Sequence, residues 1–220
     1  FAPYNIENVK QVGYDVLANR PKQAAYRAPG SPMAAFAVES VINELCDRLD
    51  LDRLEVRIKN ASKQGTKASF GPTWDRIGLV ETLEAAQAHP HYAAPLTAGQ
   101  GRGVSCGFWF NHGGETSVTL ALSEDGTAQL SVGTPDIGGS RASMAQMAAE
   151  ELGIPYENIR TTIADTATLG YNEVSHGSRV TYASGLATIK AARAAVKKLK
   201  GRAAAKWGID EDAVFWEDGY

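Results

Sequence analysis

Two short stretches set small residues where helices are expected to begin: Ile137-Gly138-Gly139-Ser140 and His176-Gly177-Ser178. The first N–H groups of a helix have no intrahelical acceptor, and the helix dipole adds partial positive charge there. Such a junction can therefore hold an anion. Gly-Gly-Ser is equally the composition of an ordinary turn closed by an N-cap serine, and both readings stand on these residues alone. A third loop, residues 23–32, contains Tyr26-Arg27-Ala28-Pro29-Gly30-Ser31-Pro32 and runs into an apolar-periodic stretch. Each proline disfavours the helical region for the residue before it. Ala28 and Ser31 are therefore expected to be extended, with Gly30 free between them and backbone amides available to a ligand.

Aromatic and titratable groups gather in Phe108-Trp109-Phe110-Asn111-His112-Gly113-Gly114-Glu115. Phe108 and Trp109 fit either a clamp on a planar or apolar substrate or simple packing at a strand end. His112 with Glu115 reads as a surface pair, and His89 and His91 on a proline-bounded loop read as solvent-facing. Cys46 and Cys106 lie far apart with no second cysteine or histidine at metal-ligand spacing, so neither an iron–sulfur cluster, a zinc ribbon nor any other metal site is expected in this chain. Glu150-Glu151 reads as a solvated pair rather than a general base. No residue is assigned a catalytic role.

The elements that must position these groups follow from periodicity. Phe36, Ala37, Val41, Ile42, Leu45 and Leu49 recur at helical spacing, predicting a helix over 32–49 with that face buried. Further helices are expected over 52–60 and 74–88, with Ile77, Val80 and Leu83 on one side of the latter. Strand character covers 103–110. The stretch 116–123 alternates with Val118, Leu120 and Leu122 on one face, and Glu124-Asp125-Gly126 is a hairpin signal into 127–132. A helix opening at Gly138-Gly139-Ser140 and bearing Met144 and Met147, a strand over 160–164 and a long helix over 180–200 complete the pattern. Strands and helices in this mixed order predict an α+β fold, with mixed sheets carrying helices on one face.

The phrase Ala25-Tyr26-Arg27-Ala28-Pro29-Gly30-Ser31-Pro32, an alanine-rich helix ending in Leu49-Asp50-Leu51-Asp52-Arg53-Leu54, then Gly101-Arg102-Gly103-Val104, Val132-Gly133-Thr134-Pro135-Asp136-Ile137-Gly138-Gly139 and Gly177-Ser178-Arg179-Val180-Thr181 resemble one family. It is the molybdenum-cofactor subunit of the xanthine dehydrogenase and aldehyde oxidase family, and the resemblance spans nearly the whole chain. It implies residues 1–60 as the end of a first cofactor-binding domain, 61–100 as a connector and 101–220 as the start of a second. It further implies oxidation of an aldehyde or nitrogen heterocycle at a molybdenum–pterin centre with water as oxygen source. Iron–sulfur and FAD-binding subunits or domains would be partners, and the parent would be oligomeric. Arg27 matches the arginine whose backbone lies against the molybdenum site. Its other reading is a bridge from loop to helix. Gly138, Gly139, Ser140, Gly177 and Ser178 are implied anchors for the cofactor's phosphate or, in the dinucleotide form, pyrophosphate.

Two departures stand out. Pro29 falls where relatives often place an aromatic that stacks on substrate, and the glutamine usual in a Gly-Gln-Gly loop is absent, Gly139 being followed by Ser140-Arg141-Ala142-Ser143. This implies a divergent branch in which Ser140 or Arg141 acts otherwise. Arg141 reads equally as a structural salt-bridge residue. A rival of another class is a non-catalytic α+β module for partner binding or cofactor insertion.

With 220 residues, 44% of them hydrophobic, the chain has material for one or two cores. A net charge of −3 with scattered cations excludes an electrostatic footprint for nucleic acid or a membrane surface. The basic run Lys197-Lys198-Leu199-Lys200-Gly201-Arg202 suits a helix C-terminus. Without a signal-like segment or a long apolar run, a soluble, most simply cytoplasmic protein is expected. Phe1 in place of methionine and the Asp218-Gly219 turn signal suggest a middle slice of a longer protein, expected to be inactive and without cofactor when isolated.

Overall fold

A computed structural model of the chain describes every residue except Gln23, Ala164 and Tyr220. The chain divides into two compact units, Phe1–Trp109 and Phe110–Tyr220.

The first unit is helical: α1 (Ser31–Leu49), α2 (Arg53–Asn60), α3 (Leu79–Ala88) and the short α4 (Pro90–Ala93). Asp52 caps α2, its carboxylate accepting from the Leu54 and Glu55 amides at 2.9 and 2.8 Å. These capping bonds, with one donated by the Tyr92 hydroxyl, hold the Asp52 carboxyl below its ordinary range although burial alone would raise it. Tyr4, Leu54, Ala61, Leu83 and Cys106 form the core.

The expected buried face of α1 is corrected. Phe36, Val41, Leu45 and Leu49 are exposed, whereas Glu39 and Cys46 point inward. A charged pair set the rotation of the helix. Arg57 of α2 is fully buried and donates from Nε and Nη2 to Glu39 Oε2 at 3.0 and 2.7 Å, so Glu39 must face α2. Much of the displaced apolar stripe, with Phe1, Ile6 and Leu51, lines an open groove of about 550 Å³.

Three other local expectations give way. Ala28 takes a left-handed φ of 49° and Ser31 is already helical, because a turn closed by Ser31 N–H to the Ala28 carbonyl (2.8 Å) leads directly into α1. Residues 103–110 form no strand. The Cys106 amide instead donates to Glu39 and the Val104 carbonyl accepts from Asn43, so side chains satisfy groups a ladder would have used. The third helix starts at Leu79 rather than near Trp74, which is held in a hairpin by Trp74 N–H to the Thr66 carbonyl.

The second unit is α+β, as expected from the order of elements. Strands β1 (Val118–Leu122), β2 (Ala128–Val132) and β3 (Ile159–Ile163) form one mixed sheet, β1 antiparallel and β3 parallel to β2. Gly126 with φ 79° makes the expected hairpin between β1 and β2. Ala128, Leu130 and Val132 share one buried face with Val118 and Leu120. Against it pack Met144, Ala145, Ala148 and Leu152 of α5 (Ser140–Leu152) and Ala192 of α6 (Gly185–Trp207). Small residues let the helices close: a Cβ at Gly185 would lie 2.7 Å from the Met147 sulfur. A π-helical turn, Val180–Ser184, precedes α6. The strand expected over 160–164 is β3, except that Ala164 lies outside the described residues.

Candidate functional site

In the second unit, a cleft of about 270 Å³ is lined by Ile137, Ser175, His176, Ser178, Arg179 and Val180 with Thr181. The cleft thus brings the residue preceding Gly138-Gly139 together with the Gly177-Ser178 junction. Gly138 and Gly139 have φ of 62° and 79°, and a Cβ at either would meet nothing within 4 Å. Gly177 (φ 59°) and Ser178 (φ 59°) are left-handed too. The amides of Gly138, Gly139, Gly177 and Ser178 make no hydrogen bond within the chain among the described residues. Four unspent donors on two neighbouring loops are an anion-binding arrangement.

Beside them sits Arg179, which in sequence is one member of the Gly177-Ser178-Arg179-Val180-Thr181 motif. Arg179 is fully buried, and its guanidinium donates to three main-chain carbonyls: Gly113 (2.8 Å), Glu115 (2.7 Å) and Glu173 (2.9 Å). Its nearest carboxylate oxygen, Glu173 Oε2, stands at 4.0 Å. Arg179 therefore brings positive charge to the wall of the cleft while tying residues 113–115 to residues 173–179. The signal for it was an arginine directly after Gly177-Ser178, where a buried cation has carbonyls to meet.

Ser140 turns away from solvent. Its hydroxyl donates to the Pro135 carbonyl (3.3 Å) and its amide to the Ile137 carbonyl (3.3 Å). Arg141 makes the structural contact: its amide donates to Asp136 Oδ1 at 2.9 Å and its Nε lies 3.6 Å from Oδ2. His112 pairs with Glu173, at 3.6 Å, rather than with Glu115.

In the first unit, Arg27 and Pro29 are exposed on the loop before α1, and the Arg27 guanidinium stands 6.0 Å from the centre of the Tyr26 ring. Arg27 makes no ion pair or hydrogen bond from loop to helix among the described residues. The Phe108 ring packs on Trp74 (centroids 5.1 Å, 65°) and Phe70 (5.7 Å, 37°), and its carbonyl accepts from Ser31 Oγ at 2.8 Å. Trp109 is half-buried. The aromatic partners of Phe108, Phe70 and Trp74, come from within the 61–100 stretch that the resemblance implies as a connector. Below them, burial and the hydrogen bond donated to Glu39 push the Tyr4 hydroxyl pKa up, and burial raises the Cys106 thiol.

An α+β unit with paired glycine loops and a buried arginine beside them offers main-chain donors of the kind an anionic ligand would meet. The sequence profile of the molybdopterin cofactor-binding domain matches residues 79–220, and a second profile of the same description matches residues 1–61. The chain belongs to the molybdopterin cofactor-binding domain family. It is 30% identical over 194 residues to the aldehyde oxidoreductase of Megalodesulfovibrio gigas, covering 81% of this chain and 21% of that protein. It is 29% identical over 204 residues to the xanthine dehydrogenase molybdenum-binding subunit of Escherichia coli O157:H7, covering 84% and 27%. The crystal structure of the Desulfovibrio desulfuricans aldehyde oxidoreductase superposes with a TM-score of 0.58 at 26% identity, over 79% of this chain and 21% of that one. The chain thus spans about a quarter of the length of these relatives.

Proposed function

We propose that this chain forms part of the molybdopterin-binding subunit of a molybdenum hydroxylase that oxidises an aldehyde or nitrogen heterocycle, with iron–sulfur and FAD-binding partners in a cytoplasmic, oligomeric parent. The observation that carries the reading is the set of four unspent amides at Gly138, Gly139, Gly177 and Ser178 beside Arg179. These residues fit the phosphate-bearing end of a pterin cofactor, alone or as its dinucleotide, because left-handed Gly138 and Gly139 leave open space where a Cβ would otherwise stand. When bound, the cofactor supplies the redox chemistry by which water oxygen reaches the substrate.

The work of this chain is to bind and to orient. Amide donors fix the anionic end without ordering long side chains, and Arg179 holds the Gly177-Ser178 loop against residues 113–115 through the carbonyls of Gly113, Glu115 and Glu173. In the first unit, Arg27 on its left-handed loop is assigned to the cofactor and the Phe108–Trp109 segment to the substrate, with Phe108 held by Phe70 and Trp74. Ser140 serves the loop fold rather than the ligand. No helix among the described residues is long and apolar enough to cross a membrane.

The test is Gly139→Ala in the full-length parent purified with its partners, followed by molybdenum and pterin analysis. The added methyl meets no neighbour but occupies the space a ligand needs. At this left-handed position we expect a stability cost of about 1 kcal/mol and severalfold lower cofactor content. Unchanged molybdenum and pterin in the variant would remove these loops from the site. A wild-type parent that never carries pterin would leave the non-catalytic module as the function.

A further inference from the structure

A second group of side chains in the same unit uses donors that the cofactor assignment does not, although one of them, His176, also lines the cleft. His112 Nε2 and His176 Nε2 each stand 3.6 Å from Glu173 Oε1, and one donor atom from each of the three residues lies within 4.8 Å of the others. The imidazole rings are 4.8 Å apart between centroids and tilted by 38°. We propose that His112, Glu173 and His176 form a binding site for a divalent transition-metal ion of the zinc class, with the remaining coordination positions open to water.

The donor set matches that chemistry. Two imidazoles and one carboxylate are a recurrent three-ligand set for zinc, with bonds of about 2.0–2.2 Å, which places tetrahedral donors roughly 3.4 Å apart. The two nitrogen-to-oxygen distances already approach this value. Closing the site needs a small rotation of the rings. All three side chains are partly exposed, at 43%, 27% and 47% for His112, Glu173 and His176, so an ion has a path in and room for water.

The backbone beneath is pinned in the needed arrangement. His112 N–H donates to the Gly177 carbonyl at 2.8 Å and Glu173 N–H to the Glu115 carbonyl at 3.0 Å. Arg179 fastens Gly113, Glu115 and Glu173 by their carbonyls. Two glycines make the approach possible. A Cβ at Gly177 would fall 2.5 Å from the His112 Cβ, and one at Gly114 would overlap the Glu173 carboxylate. Preorganisation of this kind lowers the ordering cost of binding. The site takes a cation through side chains, whereas the cofactor reading uses amide donors for an anion; His176 borders both, and zinc titration reads the cation site without any pterin.

The experiment is titration of the intact chain with Zn²⁺ by calorimetry, with cobalt as a spectroscopic substitute. We expect one ion per chain in the wild type and a visible cobalt absorption of nitrogen–oxygen coordination. His176→Gln and Glu173→Gln should each weaken zinc binding by at least tenfold, while circular dichroism confirms an unchanged fold. Among the described residues, the His176 and Glu173 side chains bond to nothing beyond the cluster and, for Glu173, Arg179 at 4.0 Å, so both should fold. Retained zinc affinity in both variants would overturn the site, as would loss of the ion only on replacing His89 and His91, or no stoichiometric uptake by the wild type.

Discussion

Each unit buries an arginine completely, and the hydrogen bonds of the two are satisfied in different ways. Arg57 meets a carboxylate, Glu39, which also accepts from the Tyr4 hydroxyl and the Cys106 amide. Arg179 meets main-chain carbonyls, with its nearest carboxylate at 4.0 Å. A carboxylate cancels the charge and makes Arg57 a structural strut. Carbonyl dipoles satisfy the hydrogen bonds of Arg179 without cancelling its charge, which Glu173 meets only at 4.0 Å. The contrast marks the second unit's arginine as the one suited to an anionic ligand.

Removing Glu39 tests this most severely. Glu39→Ala leaves Arg57 charged and buried without a counter-ion, at an expected cost of about 3–5 kcal/mol in denaturant unfolding. The double variant Glu39→Leu with Arg57→Met should recover most of that loss, since it removes both charges. Arg179→Met frees three main-chain carbonyls and the half-buried Glu173 carboxylate but leaves no charge buried and unpaired, so the expected loss in denaturant unfolding is below that of Glu39→Ala. In the full-length parent it should also lower pterin content beyond the loss of folded protein. If it costs more stability than Glu39→Ala and leaves pterin content per folded chain intact, the contrast fails.

Tyr4→Phe sharpens the same comparison from the other side. Losing a hydrogen bond to a carboxylate should cost about 1.5–3 kcal/mol at neutral pH. Because the folded Tyr4 pKa is raised, its contribution is fully present below the ordinary tyrosine value near pH 10 and is lost as pH climbs above it. The wild type should therefore lose stability in that alkaline window more steeply than the variant, as melting temperatures across pH 8 to 11 will read. Asp52→Ala gives the smallest change, about 1 kcal/mol for a lost N-cap. Its lowered pKa means that the cap acts at neutral pH and fades as pH falls through the folded value.

Much of the local architecture was legible. The Asp125-Gly126 signal gives the β1–β2 hairpin, the apolar alternation gives the buried face of the sheet, and Ser31–Leu49 matches the helix read from periodicity to within a residue. The rotation of that helix was not legible. The helical spacing of Phe36, Val41, Leu45 and Leu49 is real, yet a buried Glu39–Arg57 pair cannot be left unpaired, and satisfying it turned the apolar stripe outward. Ala28 shows the same limit at shorter range: the preference imposed by Pro29 gave way to the turn that starts α1.

The candidate site divides along the same line. Gly138-Gly139 and Gly177-Ser178 were visible as loop-to-helix junctions, because capping and glycine freedom act within a few residues. Arg179 as a carbonyl clamp and the meeting of His112 with Glu173 and His176 were not, since their partners are distant in sequence and no spacing rule reaches them. By itself the sequence determined the helices, the hairpin, the glycine loops and the family to which the chain belongs. Tertiary structure alone decided which faces are buried, which arginine is neutralised and which titratable groups meet, because charge satisfaction and close packing are settled only when distant segments are brought together.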